Sequence, residues 1–376
     1  PGLWMLLLAA AWLLAGCGAG QADSPAPDPA PVQSDVKVFL IGIDGATWRI
    51  MDPMIERGEL PNIAEMIDQG VHADLQTIRP TLSPIIWTSI ATSKFSGDHG
   101  ISGFWRKRGE GDEPIDEAEE AMIEMLESIG YIKQDEQREK GHKTLYKSTD
   151  WQAKPFWQVF SERGLSSTIL GWWVTYPVQP VNGVMVSDRY LFNRFELEAR
   201  ESGTAYSDDG QNVHPPELEP RLRKLALAAQ DIDRSWLERF VDGPIEIDDE
   251  MVLHDRLDEL RITLAKDASY HRMALDLLEE EVPDFFTIYY EGVDIASHYF
   301  WKYLFPEEWN TTYPDFPVDP EERGRYDHAI TEYYRLVDEY IGELMRFADE
   351  KTMVILMSDH GFATGRREKE SGLAHY

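Results

Sequence analysis

The sequence predicts an α/β fold layered around a mainly parallel central sheet. Three observations carry that reading: unbroken apolar runs, helical segments between them, and an aspartate at or just beyond the end of three runs. A strand covered on both faces shows no apolar/polar alternation, and such strands belong to parallel sheets with helices packed on either side.

Taken in order, Val36 to Ile43 is a nearly continuous β-branched and apolar run that stops at Asp44-Gly45, so it reads as a central strand. Pro61 to Gln69 reads as a helix, with proline at its first position, Ile63, Met66 and Ile67 on one face, and Gly70 as its stop. Arg79 to Thr92 ends in a helix with Pro84 at its first position, which makes Ser83 the N-cap. Ser167 to Leu170 and Gly183 to Val186 are further strands, flanked by Trp172-Trp173, Pro177 and Pro180. Phe285 to Tyr290 is a buried strand running into Glu291-Gly292-Val293-Asp294, and Met353 to Ser358 is the last, running into Asp359-His360-Gly361. Two stretches interrupt this order, as insertions at about 106–150 and 190–282. The first is dense in acids from Gly109 to Glu127 and predicts an exposed amphipathic helix, while Pro216 to Gln230 and Asp255 to Leu278 predict a helical cap.

The N-terminal residues belong to a different class. Leu3 to Gly16 is an apolar run of signal-peptide length, too short to span a bilayer comfortably. It closes on Leu14-Ala15-Gly16-Cys17, and Cys17 is the only cysteine in the 376 residues. That ending resembles a bacterial lipobox. It implies a signal peptide over 1–16, lipidation at Cys17, and an exported lipoprotein anchored to a membrane on its periplasmic or cell-surface side. Residues 17–34, rich in Ala, Pro, Asp, Ser and Gln, cannot form a core and read as a disordered tether. Residues 35–376 form the domain, which the sequence leads us to expect to be incomplete at its C-terminal end.

A net charge of −32 argues against binding to a nucleic-acid duplex. It would also repel an anionic substrate, unless bound cations invert the field at the site.

In open α/β sheets ligands gather at the carboxyl ends of the strands, so the aspartates after three strands converge. Asp294 and His298 lie four residues apart, on one face of a helical turn, while Asp359-His360 adds a second pair and Asp44 a third carboxylate. Singly these read as a turn residue, a helix cap and a surface ion pair; together they read as ligands. Oxygen and nitrogen donors without cysteine suit Zn2+ or Mn2+ in a reactive site better than a structural zinc. A hydroxyl at Ser83, near the positive end of a helix dipole, is a candidate nucleophile, with Thr81 as the alternative. Trp172, Trp173, Tyr299 and Trp301 could stack on a flat leaving group, although aromatic residues near strand ends more often belong to the core.

Val38 to Gly45, Leu60-Pro61-Asn62-Ile63, Pro80 to Thr92, Asp98-His99-Gly100-Ile101, Asp294 with His298, and Ser358 to Gly361 occur in a characteristic order. That order resembles the type I phosphodiesterase/nucleotide pyrophosphatase branch of the alkaline phosphatase superfamily. The resemblance implies a three-layer alkaline-phosphatase-like fold and two divalent cations, Zn2+ or Mn2+. One would be held by Asp44, Asp359, His360 and Ser83, the other by Asp294, His298 and a further histidine, for which His375 is the candidate; His99 belongs to a structural turn. The implied activity is hydrolysis of phosphate esters, as phosphodiesters or nucleotide pyrophosphates, through a covalent phospho-Ser/Thr. The substrate would be a small phosphate ester or a lipid head group. Serine where threonine is frequent, and Pro84 one place early, depart from the common pattern and keep Thr81 in play. The alternatives are a phosphomonoesterase, phosphomutase or phosphoethanolamine-transferase-like enzyme, and a non-catalytic metal-binding surface lipoprotein. The sulfatase pattern is missing from Ser83-Pro84-Ile85-Ile86.

Overall fold

In the computed structural model, which describes residues 34–109, 111–112, 115, 119–120, 123, 142–191, 211–247 and 255–365, the apolar runs become strands and most of them join one sheet. In chain order the elements used below are β1 (Lys37–Ile43), α1 (Trp48–Glu56), α2 (Pro61–Gln69), α3 (Ser83–Thr92), β2 (Trp105–Lys107), β3 (Lys143–Leu145) and α4 (Phe156–Glu162). They continue as β4 (Ser167–Leu170), β5 (Gly183–Val186), β6 (Val213–His214), α5 (Arg256–Glu280), β7 (Phe285–Tyr290), α6 (Gly292–Leu304), α7 (Ala329–Met345) and β8 (Thr352–Met357).

The main sheet runs β6-β5-β4-β7-β1-β8. Every pair in it is parallel except β5–β6. The central strands β1 and β7 pair with Ile43 opposite Tyr290, so their carboxyl ends are level. Alternation along the strands then builds two cores. Phe39, Ile41, Ile43, Phe286, Ile288 and Tyr290 face a large cluster shared with α1, α2, α5, α6 and α7. Leu40, Phe285 and Tyr289 face a smaller one that takes Trp87 of α3 and Trp157 of α4. Helices therefore cover both faces, giving three layers.

Two segments differ from the sequence reading. Asp255 to Leu278, expected in a cap, forms α5, and α5 lies in the core: Leu264, Tyr270, Met273 and Ala274 are buried in the larger cluster. Its charges misled the reading because several, among them Lys266 and Asp267, are themselves buried. In the first insertion, Glu119 and Ile123 are buried rather than exposed. Glu119 accepts hydrogen bonds from the Thr144 hydroxyl (2.6 Å) and the Leu145 N–H (2.7 Å), and it pairs with Arg189 at 3.3 Å. The antiparallel pair β2–β3 joins the two ends of that insertion.

Helix starts also depend on distant partners. Neither α2 nor α6 has a side-chain cap of its own. The N–H of Ile63 in α2 donates to Asp338 of α7 at 2.8 Å, and the N–H of Asn62 to the same carboxylate at 3.2 Å. Such a cap satisfies donors that the helix cannot satisfy internally.

Gly42 of β1 fixes how closely α3 can approach the sheet. A Cβ there would lie 2.7 Å from the rim of the Trp87 indole, which is fully buried. Gly42→Ala is expected to cost about 1–3 kcal/mol through overpacking. Gly324, in the exposed short helix Pro320–Tyr326, has open space around it, and Gly324→Ala should be neutral or stabilising by up to about 1 kcal/mol. Urea denaturation of both variants checks the contrast.

Candidate metal centre

The site is assembled at the carboxyl ends of β1, β7 and β8. Asp44 follows β1 on a turn completed by Gly45, whose φ of +68° is the left-handed conformation that glycine adopts without strain. A side chain at Gly45 is doubly excluded, since its Cβ would sit 2.8 Å from Asp294 Oδ1. This close approach brings α6, with Asp294 and His298 on one face, against the end of β1. The two side chains lie 3.4 Å apart, as their four-residue spacing requires. Asp359 and His360 follow β8, and the Gly45 N–H donates to Asp359 Oδ1 at 3.4 Å.

Asp44, Asp359 and His360 offer ligand atoms within 4.8 Å of one another, a group that could hold a metal ion. His360 presents Nε2 to the cluster because its Nδ1–H donates to the Gly361 carbonyl at 3.0 Å. Nε2 then lies 3.3 Å from Asp44 Oδ1 and 3.5 Å from Asp359 Oδ2.

Ser83 joins this group. Its Oγ is 3.4 Å from Asp44 Oδ1 and 3.5 Å from His360 Nε2. Ser83 is the first residue of α3 and not its N-cap: Leu82 occupies the cap, and its carbonyl accepts from the Ile85 and Ile86 N–H groups. Pro84 is accordingly at the second position, which a proline also fills without loss. The expectation of a capping serine is corrected, and the consequence is that the hydroxyl is released from the helix and turned toward Asp44 and His360. Thr81 lies before the helix, two residues from Ser83.

Two further residues, which the sequence reading passed over, hold Asp44. Tyr289 donates its hydroxyl to Asp44 Oδ2, and the Trp87 indole N–H donates to the same oxygen at 3.4 Å. This leaves Oδ1 to face Ser83 and His360. The signal for Tyr289 was its place in β7, level with Gly42 and just before the segment that carries Asp294 and His298. His99 is structural. It is fully buried, accepts the Ile101 N–H at 3.1 Å and pairs with Ser89 at 3.0 Å. Trp172 and Trp301 are buried in the core clusters, Trp173 packs edge-on to Phe104, and Tyr299 packs against the larger cluster. Cys17 and His375 lie outside the described residues.

The electrostatics favour a cation. Burial raises the Asp44 carboxyl well above the usual range, the Asp359 and Asp294 charges raise it further, and His360 and the Tyr289 hydroxyl offset only part of this. For His360 the largest effect is burial, which lowers its pKa, but Asp359, Asp44 and Asp294 together outweigh it and push the imidazolium up to about 10. Asp359 Oδ2 is buried without a hydrogen-bond partner. Neighbouring charges that raise the proton affinity of Asp44, an Asp359 oxygen without a hydrogen bond and an imidazole nitrogen aimed among the carboxylates form a donor set that fits a divalent cation.

A family model described as type I phosphodiesterase / nucleotide pyrophosphatase matches residues 38–376. No curated protein sequence matches the chain. Among solved structures, phosphonoacetate hydrolase from Sinorhizobium meliloti 1021 in complex with phosphonoformate is similar at 14% identity and a TM-score of 0.44. The same hydrolase in complex with phosphonoacetate gives 15% and 0.41. Each alignment covers 89% of this chain and 58% of the hydrolase, so the chain spans little more than half the length of those structures.

The raised His360 pKa has a measurable outcome. In the cation-free protein its stabilising effect is fully present below the ordinary histidine value of 6.5 and is lost as pH rises through about 10. Near pH 8 the ring therefore carries a proton that a cation must displace. Calorimetric titration with Zn2+ in two buffers of different ionisation enthalpy should give different heats, showing proton release. Equal heats would contradict a protonated His360.

Proposed function

The chain belongs to the type I phosphodiesterase / nucleotide pyrophosphatase family, and we propose that it is a metal-dependent hydrolase of phosphate esters, acting on diesters or nucleotide pyrophosphates through a phosphoserine at Ser83. The observation that carries this reading is the Ser83 hydroxyl, set 3.4 Å from Asp44 and 3.5 Å from His360 inside the donor cluster. A serine used only to cap its helix would turn back to that helix's N–H groups.

Asp44, Asp359, His360 and Ser83 would hold one divalent cation, Zn2+ or Mn2+, and Asp294, His298 and His375 the other. Bound there, the cations supply positive charge that eases ionisation of the serine hydroxyl and neutralises the phosphoryl oxygens. The chain's own residues do the rest. Asp44 Oδ1 accepts the Ser83 hydroxyl and aims its oxygen at the incoming phosphorus. Tyr289 and Trp87 lock Asp44 so that this oxygen stays fixed. Attack by Ser83 Oγ in line with the departing alkoxide gives the phosphoserine, and water attacking the same phosphorus returns the free hydroxyl. Burial of the carboxylates keeps bulk water away and strengthens every charge interaction at the phosphorus.

We also propose that the protein is an exported lipoprotein. Cys17 would tether the domain by a lipid chain on the periplasmic or cell-surface side of a membrane, near phosphate esters that include lipid head groups.

Full-length protein supplied with Zn2+ or Mn2+ should hydrolyse bis-p-nitrophenyl phosphate faster than p-nitrophenyl phosphate, and a chelator should abolish both. Reversed preference would favour a phosphomonoesterase; binding of Zn2+ without turnover of either would leave the non-catalytic surface protein. Ser83→Ala should lower kcat by a factor on the order of 10³ or more, and should weaken cation binding less than Asp359→Ala does. Wild-type turnover by Ser83→Ala would end the phosphoserine proposal.

A further inference from the structure

Asp267 stands in the middle of α5, fully buried, where a carboxylate is costly unless its oxygens are satisfied. Two of its partners are at the start of another helix and the third is a phenol of α7. Oδ1 accepts the Glu291 N–H at 3.2 Å, and Oδ2 accepts the Gly292 N–H at 3.1 Å and the Tyr333 hydroxyl at 3.1 Å. Glu291 and Gly292 open α6, whose own cap residue makes no side-chain cap bond. The neighbouring Lys266 of α5 reaches the same turn through a buried ion pair with Glu291. Gly292 closes the arrangement from the other side. A Cβ there would fall 1.9 Å from the Tyr333 ring, so α7 presses directly on the α6 backbone.

The first turn of α6 carries Asp294, and the next carries His298. The Glu291 carbonyl, held beside the capped N–H groups, accepts the Asp294 and Ile295 N–H at 3.1 and 3.2 Å. At the far side, Asp294 is packed against Gly45 with no room for a methyl group between them. The start of α6 is thus clamped between a carboxylate from α5, a phenol from α7 and the turn that follows β1. Neither the Asp267 carboxylate nor the Tyr333 phenol is itself in the donor cluster.

We propose that Asp267, with Tyr333, is a positioning residue for the Asp294–His298 half of the site: it fixes the start of α6 so that these two ligands face the Asp44 cluster at a set distance. This rests on the two-cation reading above. Its specific content is selectivity, because loss of the clamp lets α6 shift while β1, β8 and the Asp44–Asp359–His360 group stay in place.

Asp338 provides a matched comparison, since it caps α2 from α7 in the same manner and α2 bears no ligand. The experiment is calorimetric titration of metal-free, full-length protein with Zn2+, alongside thermal melts, for wild type, Asp267→Ala, Tyr333→Phe and Asp338→Ala. Wild type should bind two ions. Asp267→Ala should keep the first with unchanged Kd and bind the second about 10- to 100-fold more weakly, the range seen when groups orienting a ligand are removed. Tyr333→Phe, which deletes one oxygen and keeps the ring, should weaken the second ion alone and by less. Asp338→Ala should lose Tm yet bind both ions as wild type does. If Asp267→Ala fails to fold, Tyr333→Phe carries the test.

Second-ion affinity equal to wild type in both Asp267→Ala and Tyr333→Phe would overturn the inference. So would loss of both ions in proportion to Tm, as a general loosening would give. Wild-type protein that takes up no second ion would overturn the two-cation reading, a failure distinct from the other two.

Discussion

Repulsion among three buried carboxylates governs this molecule. Asp44, Asp294 and Asp359 come from segments far apart in the chain and are brought together where β1, β7 and β8 end. The Asp359 and Asp294 charges make Asp44 harder to ionise, and His360, set beside Asp44 and Asp359, binds its proton more tightly. Such a cluster would be unfavourable in a core that existed only for stability. In a site that recruited cations the same arrangement would be productive, because charge that is unfavourable by itself is what would draw a cation.

The support around the cluster follows from that constraint. Gly42 lets the Trp87 indole lie against β1, and Trp87 spends its N–H on Asp44. Tyr289 occupies the other approach to the same oxygen. Gly45 removes the side chain that would separate Asp44 from Asp294. Three positions on the strand ends are therefore occupied by what permits close approach, glycine or an aromatic donor. The negative surface of the whole protein does not oppose this, because the field at the site is set by groups within a few ångströms and by whatever cation they hold.

Much of this was legible in the chain. The strands at Ser167–Leu170, Gly183–Val186 and Phe285–Tyr290 and the helix at Pro61–Gln69 stand where the apolar patterns put them, since burial on both faces leaves a pattern that needs no partner to be read. Asp294 and His298 were legible for a related reason: helical spacing alone puts them side by side. The charges of α5 concealed a core helix, because a buried Lys, Asp or Glu looks the same in sequence as a solvated one. Ser83 was placed near the site for a capping role that Leu82 fills, an error of a single residue at a helix end, where local rules are least decisive. What Tyr289, Trp87 and Asp267 contact was not legible, since each meets a partner at least twenty-four positions away.

The sequence by itself determined the layered α/β plan, the convergence of Asp44, Asp294 and Asp359 on one edge of the sheet, and the family to which the chain belongs. These rest on periodicity and order, properties that survive in one dimension. Tertiary structure alone decided which oxygen of Asp44 faces Ser83, which nitrogen of His360 points inward, and how the start of α6 is held. Those are matters of orientation at the scale of a hydrogen bond, and they arise only when elements separated in sequence press together and each donor takes the one acceptor within its reach.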